Sequence, residues 1–389
     1  MSQILNLFKD ERISGVIVLI AVLLALIAAN SPAAEIYALI HHTPVHFRFG
    51  PLIIDEPLVK WINEGLMVIF FLMIGLEIKQ QLLEGHLSTL KQAALPIFAA
   101  FGGMMLPASL YVGLAWDDPN ALRGWAIPTA TDIVLALTVL SLLGSRIPVG
   151  LRIFLTALAI FDDLGAIIII SLFYGQTVAA TPLIIAGFAL LGLLLINRLQ
   201  IFQPVIYIAI GLVLWIAMHK SGVEASLTGF FIALSIPIHI PKAGASSPLR
   251  RTEKKFHIWN VLFVIPLFAF FNAGININQT TDFWPLNSVS LGIIVGLCIG
   301  KQVGVFIASR IAVATGLAQL PKNVTWFQLY GVALLSGIGF TMSTFVATLA
   351  FPNTDLIVSA KISILLGSVL SATVGVVVIY LSTTKISSK

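Results

Sequence analysis

The largely apolar run from Leu151 to Phe173 is uncharged except for Arg152 at its start and two adjacent carboxylates, Asp162 and Asp163, near its middle. A helix of that length crosses a bilayer, because about 20 apolar residues suffice. An Asp at the centre of such a helix costs on the order of 2.5–3.5 kcal/mol on insertion scales. Two in succession are therefore poor filler. Ionisable groups at such depth mark ion or proton sites, and here the mark is doubled.

Segments of spanning character recur at about 13–30, 59–82, 95–115, 121–143, 150–174, 181–197, 204–218, 223–238, 257–276, 288–311, 326–350 and 357–382. The chain is 58% hydrophobic and 10% charged, against soluble norms of about 45–50% and about 25%. This is the pattern of an all-α polytopic membrane protein, read as a single domain over 1–389. Residues 13–29 resemble a signal-peptide core, but the run is long and flanked by Glu11 and Arg12, so it reads as the first spanning helix. The single cysteine, Cys298, excludes a disulfide framework and a cysteine metal site.

Twelve spans put both termini on one side. Of the 22 Lys and Arg residues, only Arg48, Lys60, Arg123, Lys220 and Lys361 fall on the other side, and Lys301 lies within a span. That bias places both termini in the cytoplasm. It also accounts for the net charge of +5 without a nucleic-acid partner. The loop from Lys242 to Lys255 is the most basic stretch, a topology anchor and lipid-headgroup contact, with Glu253 and His257 beside it as candidates for a pH response. On the outer side, Val45–Phe49 alternates, Gly50-Pro51 signals a turn and Leu52-Ile-Ile54 follows, so 44–58 is expected to form a β-hairpin. An isolated hairpin is marginal in water; a second copy of the protein and the hairpin's own subunit are both candidate supports.

Two spans carry the residues of an interrupted helix. The fourth reads Trp125-Ala-Ile-Pro-Thr-Ala-Thr-Asp132, where Pro128 removes a backbone donor. The eleventh reads Ser336-Gly-Ile-Gly-Phe-Thr-Met-Ser343, where Gly337 and Gly339 loosen the backbone at comparable depth. Non-helical backbone at membrane depth is tolerated only where protein buries it or it lines a wet cavity. Two such breaks at corresponding places suggest inverted repeats over 95–174 and 288–382. Half-helix N-termini favour an anion and C-termini a cation. Asp132 suits the first role. Lys301, in Gly296-Leu-Cys-Ile-Gly-Lys-Gln-Val-Gly304 and too deep to reach the interface, suits the second. Its counter-charge is expected among Asp132, Asp162 and Asp163.

These residues resemble the NhaA-type Na+/H+ antiporter family along nearly the whole chain. The matching stretches are Gly75-Leu-Glu-Ile-Lys79, Gly124–Asp132, Ala157–Ile167, Pro266–Phe270 with Asn272-Ala-Gly274, Gly300-Lys301 and Gly337–Ser343. The resemblance implies crossed broken helices at segments four and eleven and a homodimer joined through the outer hairpin. It implies a multi-pass protein of the bacterial inner membrane and no cofactor, with Na+ (and Li+) and H+ as cargo. It also implies roles: Asp163 as the main ion-binding carboxylate, Asp162 as partner of Lys301, Asp132 and Thr131 as the polar pair of the broken helix, and Glu77 in the pH response. Asp163, Asp132 and Thr131 would then ligate Na+. The chain departs from the family's pattern in carrying Gln80-Gln81 for Arg-Glu, and Glu224 where some members have His.

The expected mechanism follows from adjacency and competition. Neighbouring helical residues point about 100° apart, so one aspartate can face the ion and the other Lys301. Protonated carboxylates cannot hold Na+, and Na+ displaces protons, which with alternating access gives exchange. An intramembrane aspartyl protease would need its two carboxyls to converge, whereas this pair diverges. A cation-coupled solute symporter would need a roomy substrate pocket, and a passive channel is at odds with broken repeats. The chain is expected to be a transporter and not an enzyme.

Overall fold

A backbone in an apolar layer must satisfy its own hydrogen bonds, and the chain does so almost entirely with helices. The computed structural model describes residues 11–50, 52–85, 87–144, 147–175, 179–238, 247–276, 287–352 and 355–384. Among them are nine unbent helices long and apolar enough to cross a membrane: Arg12–Ala29, Leu58–Leu83, Lys91–Ala115, Val149–Phe173, Ala180–Arg198, Pro204–Ser221, Pro248–Ala273, Ser288–Ala314 and Leu356–Thr383. Two further pairs, Pro119–Thr129 with Ile133–Leu142 and Trp326–Leu335 with Phe340–Ala350, each bend by 44° at a short break. The expected eighth span, 223–238, is a short apolar helix over Ala225–Ser235. Its last carbonyls take a cation: Lys79 Nζ donates to Leu234 O and to Ile236 O at 2.7 Å.

Contacts divide the chain into two compact units. One gathers residues 1–18, 84–169 and 277–389; the other gathers 19–83 and 170–276. In the second unit, Leu58–Leu83 packs along Thr228–Ser235 and Ala180–Arg198 along Pro204–Ser221. The ninth span differs from expectation. Its helix begins at Pro248, capped by the Ser247 hydroxyl, so Arg250, Arg251, Lys254 and Lys255 are helical and not in a loop. Proline at the first helical turn loses no hydrogen bond there, which explains the early start; 239–246 lie outside the described residues.

The outer hairpin pairs Pro44–Phe49 with Leu52–Pro57 antiparallel, in register from Pro44↔Pro57 to Phe49↔Leu52. The second strand runs past Ile54 because polar residues are tolerated on a solvent-facing sheet, and Asp55 meets His46 Nδ1 at 3.0 Å. Lys220 Nζ donates to Ile53 O, tying this edge to a helix of the same chain.

In the first unit, Leu90–Ala115 packs against Ser288–Val295, Gly296–Lys301 and Gln302–Ala314. The middle segment, Gly296–Lys301, is a π-helical turn, a feature the sequence reading did not anticipate. Its glycines set the approach: a Cβ on Gly296 would lie 2.6 Å from Pro128 Cβ, and one on Gly300 2.6 Å from Pro107 Cα. Gly300→Ala should therefore overpack a backbone contact, costing about 1–3 kcal/mol and lowering the melting temperature in detergent. Gly65→Ala, whose Cβ would meet nothing within 4 Å, should leave it unchanged or higher.

Candidate functional site

The two breaks meet inside the first unit. Ala130–Asp132 and Ile338–Gly339 are not helical, and Asp132 N–H donates to Ile338 O at 2.6 Å. Gly337 and Gly339 do not adopt the left-handed conformation that glycine alone tolerates. They are small because the breaks are crowded: a Cβ on Gly337 would lie 2.5 Å from both Leu297 O and Ser371 Oγ. Close packing is thus a further reason for glycine at both positions, in a backbone that leaves the helix there. Pro128 opens a tight 3-10 turn over Ile127–Thr129, where its missing N–H costs nothing.

Asp132 bridges two helix N-termini. Its Oδ1 accepts from Leu135 N–H at 2.9 Å and caps Ile133–Leu142. Its Oδ2 accepts from Thr341 N–H at 3.0 Å and Thr341 Oγ1 at 2.7 Å, at the start of Phe340–Ala350. A carboxylate suits N–H groups at helix starts by both hydrogen bonding and dipole. The opposing C-termini take donors. Lys301 Nζ donates to Thr129 O, Ser343 Oγ to Ile127 O at 2.7 Å, and Thr131 Oγ1 lies 2.8 Å from Ser336 O.

Lys301 also forms an ion pair with Asp162, Nζ to Oδ2 at 2.6 Å, with both side chains 0% exposed. Thr131 Oγ1 lies 2.7 Å from the same Oδ2. Its one proton serves either Asp162 or the Ser336 carbonyl at a given moment. Asp162 Oδ1 is buried and accepts no hydrogen bond from any described residue. Asp163, 1% exposed, follows on the same helix and acts electrostatically on Lys301.

The structure therefore brings Lys301, Asp162 and Thr131 together and joins Asp132 to Thr341. Among the described residues no three His, Cys, Asp or Glu side chains converge on one point. Sequence reasoning missed Thr341 and Ser343, although both lie in the break motif. The signal was their hydroxyls, placed within one turn of a predicted break.

The pH-response candidates belong to the second unit. Glu77 and Glu253 interact electrostatically, and the Gln80 amide reaches the Glu253 carboxylate. His257 lies one turn further along Pro248–Trp259. Glu224 accepts from Ser226 Oγ at 2.9 Å and feels Glu64, which in turn meets His219 Nδ1 at 3.3 Å.

A sequence profile described as Na+/H+ antiporter 1 matches residues 5–379. The chain is 47% identical over 379 residues to the Na(+)/H(+) antiporter NhaA of a Nitratiruptor species, covering 97% of this chain and 98% of that protein. It is 46% identical over 393 residues to the protein of that name from Rhodospirillum rubrum, covering 98% of each. To that of a Shewanella baltica strain it is 47% identical over 372 residues, covering 95% of each. The chain belongs to the NhaA-type Na+/H+ antiporter family. Members of that name are transporters and not enzymes, and the apolar helices make this a multi-pass membrane protein.

Removing one partner of a buried ion pair strands the other charge, at about 3–5 kcal/mol. Lys301→Met should lower the melting temperature accordingly. Adding Asp162→Asn should restore part of the loss, as read by thermal unfolding of the single and double variants.

Proposed function

We propose that this protein exchanges cytoplasmic Na+, and Li+, for external H+, with Asp162 and Asp163 binding ion and protons in competition. The observation that carries this reading is the buried Lys301–Asp162 pair, set where two helix breaks meet and directly followed by Asp163. With both aspartates ionised, one lysine neutralises one of them and leaves the second negative charge for a cation. With protons bound, that charge is gone and so is the cation's reason to stay. Na+ is a hard cation and takes oxygen; Asp163, the Thr131 hydroxyl, Asp132 and carbonyls freed at the breaks are the donors proposed for it. Asp132 already accepts three hydrogen bonds, so of these it has the least capacity left.

If two protons exchange for one Na+, each cycle moves one net charge. The membrane potential, worth about 2.3 kcal/mol per charge per 100 mV, then drives Na+ outward. No cofactor is needed for this cycle. The proposed frame is twelve spans, counting both bent pairs and the short Ala225–Ser235 helix, with inverted repeats over 95–174 and 288–382 and crossed broken helices. Both termini are assigned to the cytoplasm of a bacterium, with the protein in its inner membrane, from the Lys and Arg bias. A homodimer through the 44–58 hairpin is supported by the exposed Phe47 and Ile53 on its strands. Glu77, Glu253 and His257 are proposed to set the pH response. Gln80 and Gln81 stand where the family's pattern has charged residues, so the set point should differ from that of other members.

Proteoliposomes loaded with a pH indicator test the central assignment. Na+ added to wild type should change lumenal pH in a voltage-dependent manner. Asp163→Asn, folded to the wild-type melting temperature, should abolish the change. Full exchange by that variant would overturn the site assignment. Na+-dependent solute uptake without a pH change would instead favour a symporter.

A further inference from the structure

Arg310 stands one turn before the end of Gln302–Ala314 and is exposed. Its guanidinium carbon lies 4.4 Å from the centre of the Trp326 ring and 5.8 Å from that of Phe306. The two rings meet edge to face at 6.0 Å, and Tyr330 closes on Phe306 at 5.3 Å. Trp326 begins the next helix, Trp326–Leu335, so this aromatic corner sits where one helix ends and the next begins, on one side of the membrane. Tryptophan is favoured at that boundary.

Among the described residues no carboxylate pairs with Arg310. The sequence has none between Asp282 and Asp355. The helices Leu90–Ala115, Ile133–Leu142 and Leu356–Thr384, which pack against Gln302–Ala314 or Trp326–Leu335, have none either. Arg310 donates no hydrogen bond to any described residue. The Trp326 ring face holds the guanidinium in place. Around it Ile307, Ile311 and Phe327 are exposed, the surface that acyl chains cover. A planar fork of donors with no acceptor among the described residues, flanked by exposed apolar side chains, matches a phosphodiester above two acyl chains. Exposed Lys322, in the adjoining loop, adds charge of the same sign.

We propose that the corner formed by Phe306, Arg310, Trp326 and Tyr330 binds the headgroup phosphate of an anionic phospholipid. Binding there would clamp the Ser288–Ala314 helix, which carries Lys301, to the helix that leads into the second break.

The full-length protein in nanodiscs tests this. Replacing part of the phosphatidylcholine with phosphatidylglycerol should raise the wild-type melting temperature by several degrees. Arg310→Gln should lose most of that rise and Arg310→Lys should keep part of it; a full rise in Arg310→Gln overturns the proposal. A second readout does not depend on the variant's stability. Phosphatidylglycerol brominated on its acyl chains should quench the Trp326 share of fluorescence, obtained by difference from Trp326→Phe, more than brominated phosphatidylcholine does. Equal quenching overturns the proposal, as would inorganic phosphate giving the same stabilisation in phosphatidylcholine discs.

Discussion

Four helix ends meet inside an apolar layer, and each leaves backbone groups without intrahelical partners. In such surroundings every unsatisfied group costs several kcal/mol, so the meeting point depends on the side chains that answer those groups. Asp132 serves the two N-terminal ends with one carboxylate. Lys301, Ser343 and Thr131 serve the carbonyls of the other two. The charged site is thus not an insertion into a finished bundle; it is what makes the breaks tolerable.

The same arrangement suggests how the site moves. Helical hydrogen bonds within a straight span are hard to exchange, whereas those at the breaks run from side chain to backbone and have alternatives. The Thr131 hydroxyl already lies between two acceptors, Asp162 and the Ser336 carbonyl. In the exchange proposed above, a proton or cation arriving at Asp162 would change which one it serves, and so how the two breaks hold each other. Such a bistable contact is what alternating access requires.

Much of this was legible in the sequence, for physical reasons. Apolar runs of spanning length dictate helices, and Pro128 with Gly337 and Gly339 marked both breaks. Buried charges are expensive enough that Asp162, Asp163 and Lys301 had to be related, and the structure pairs Lys301 with Asp162. Less legible were features that depend on packing across the chain. The π-helical turn that ends at Lys301 has no local signature beyond its glycines, and their purpose is set by Pro107 and Pro128 on other segments. Thr341 looked like one hydroxyl among many until its N–H and Oγ1 were seen on Asp132. The ninth span was misjudged because hydropathy ends at the charges, while the helix continues through them to the Ser247 cap.

Competition between Na+ and protons for the same carboxylates is the centre of this mechanism, and equilibrium binding reaches it without transport. Binding of radioactive Na+ to purified protein would be measured across a pH series from acid to alkaline. Shared carboxylates require the apparent Kd to fall as pH rises, by up to about a hundredfold per pH unit if two protons leave for each ion, and to level off once both have gone. A Kd independent of pH across the whole series, in folded protein, would contradict competition and remove the basis for exchange at this site.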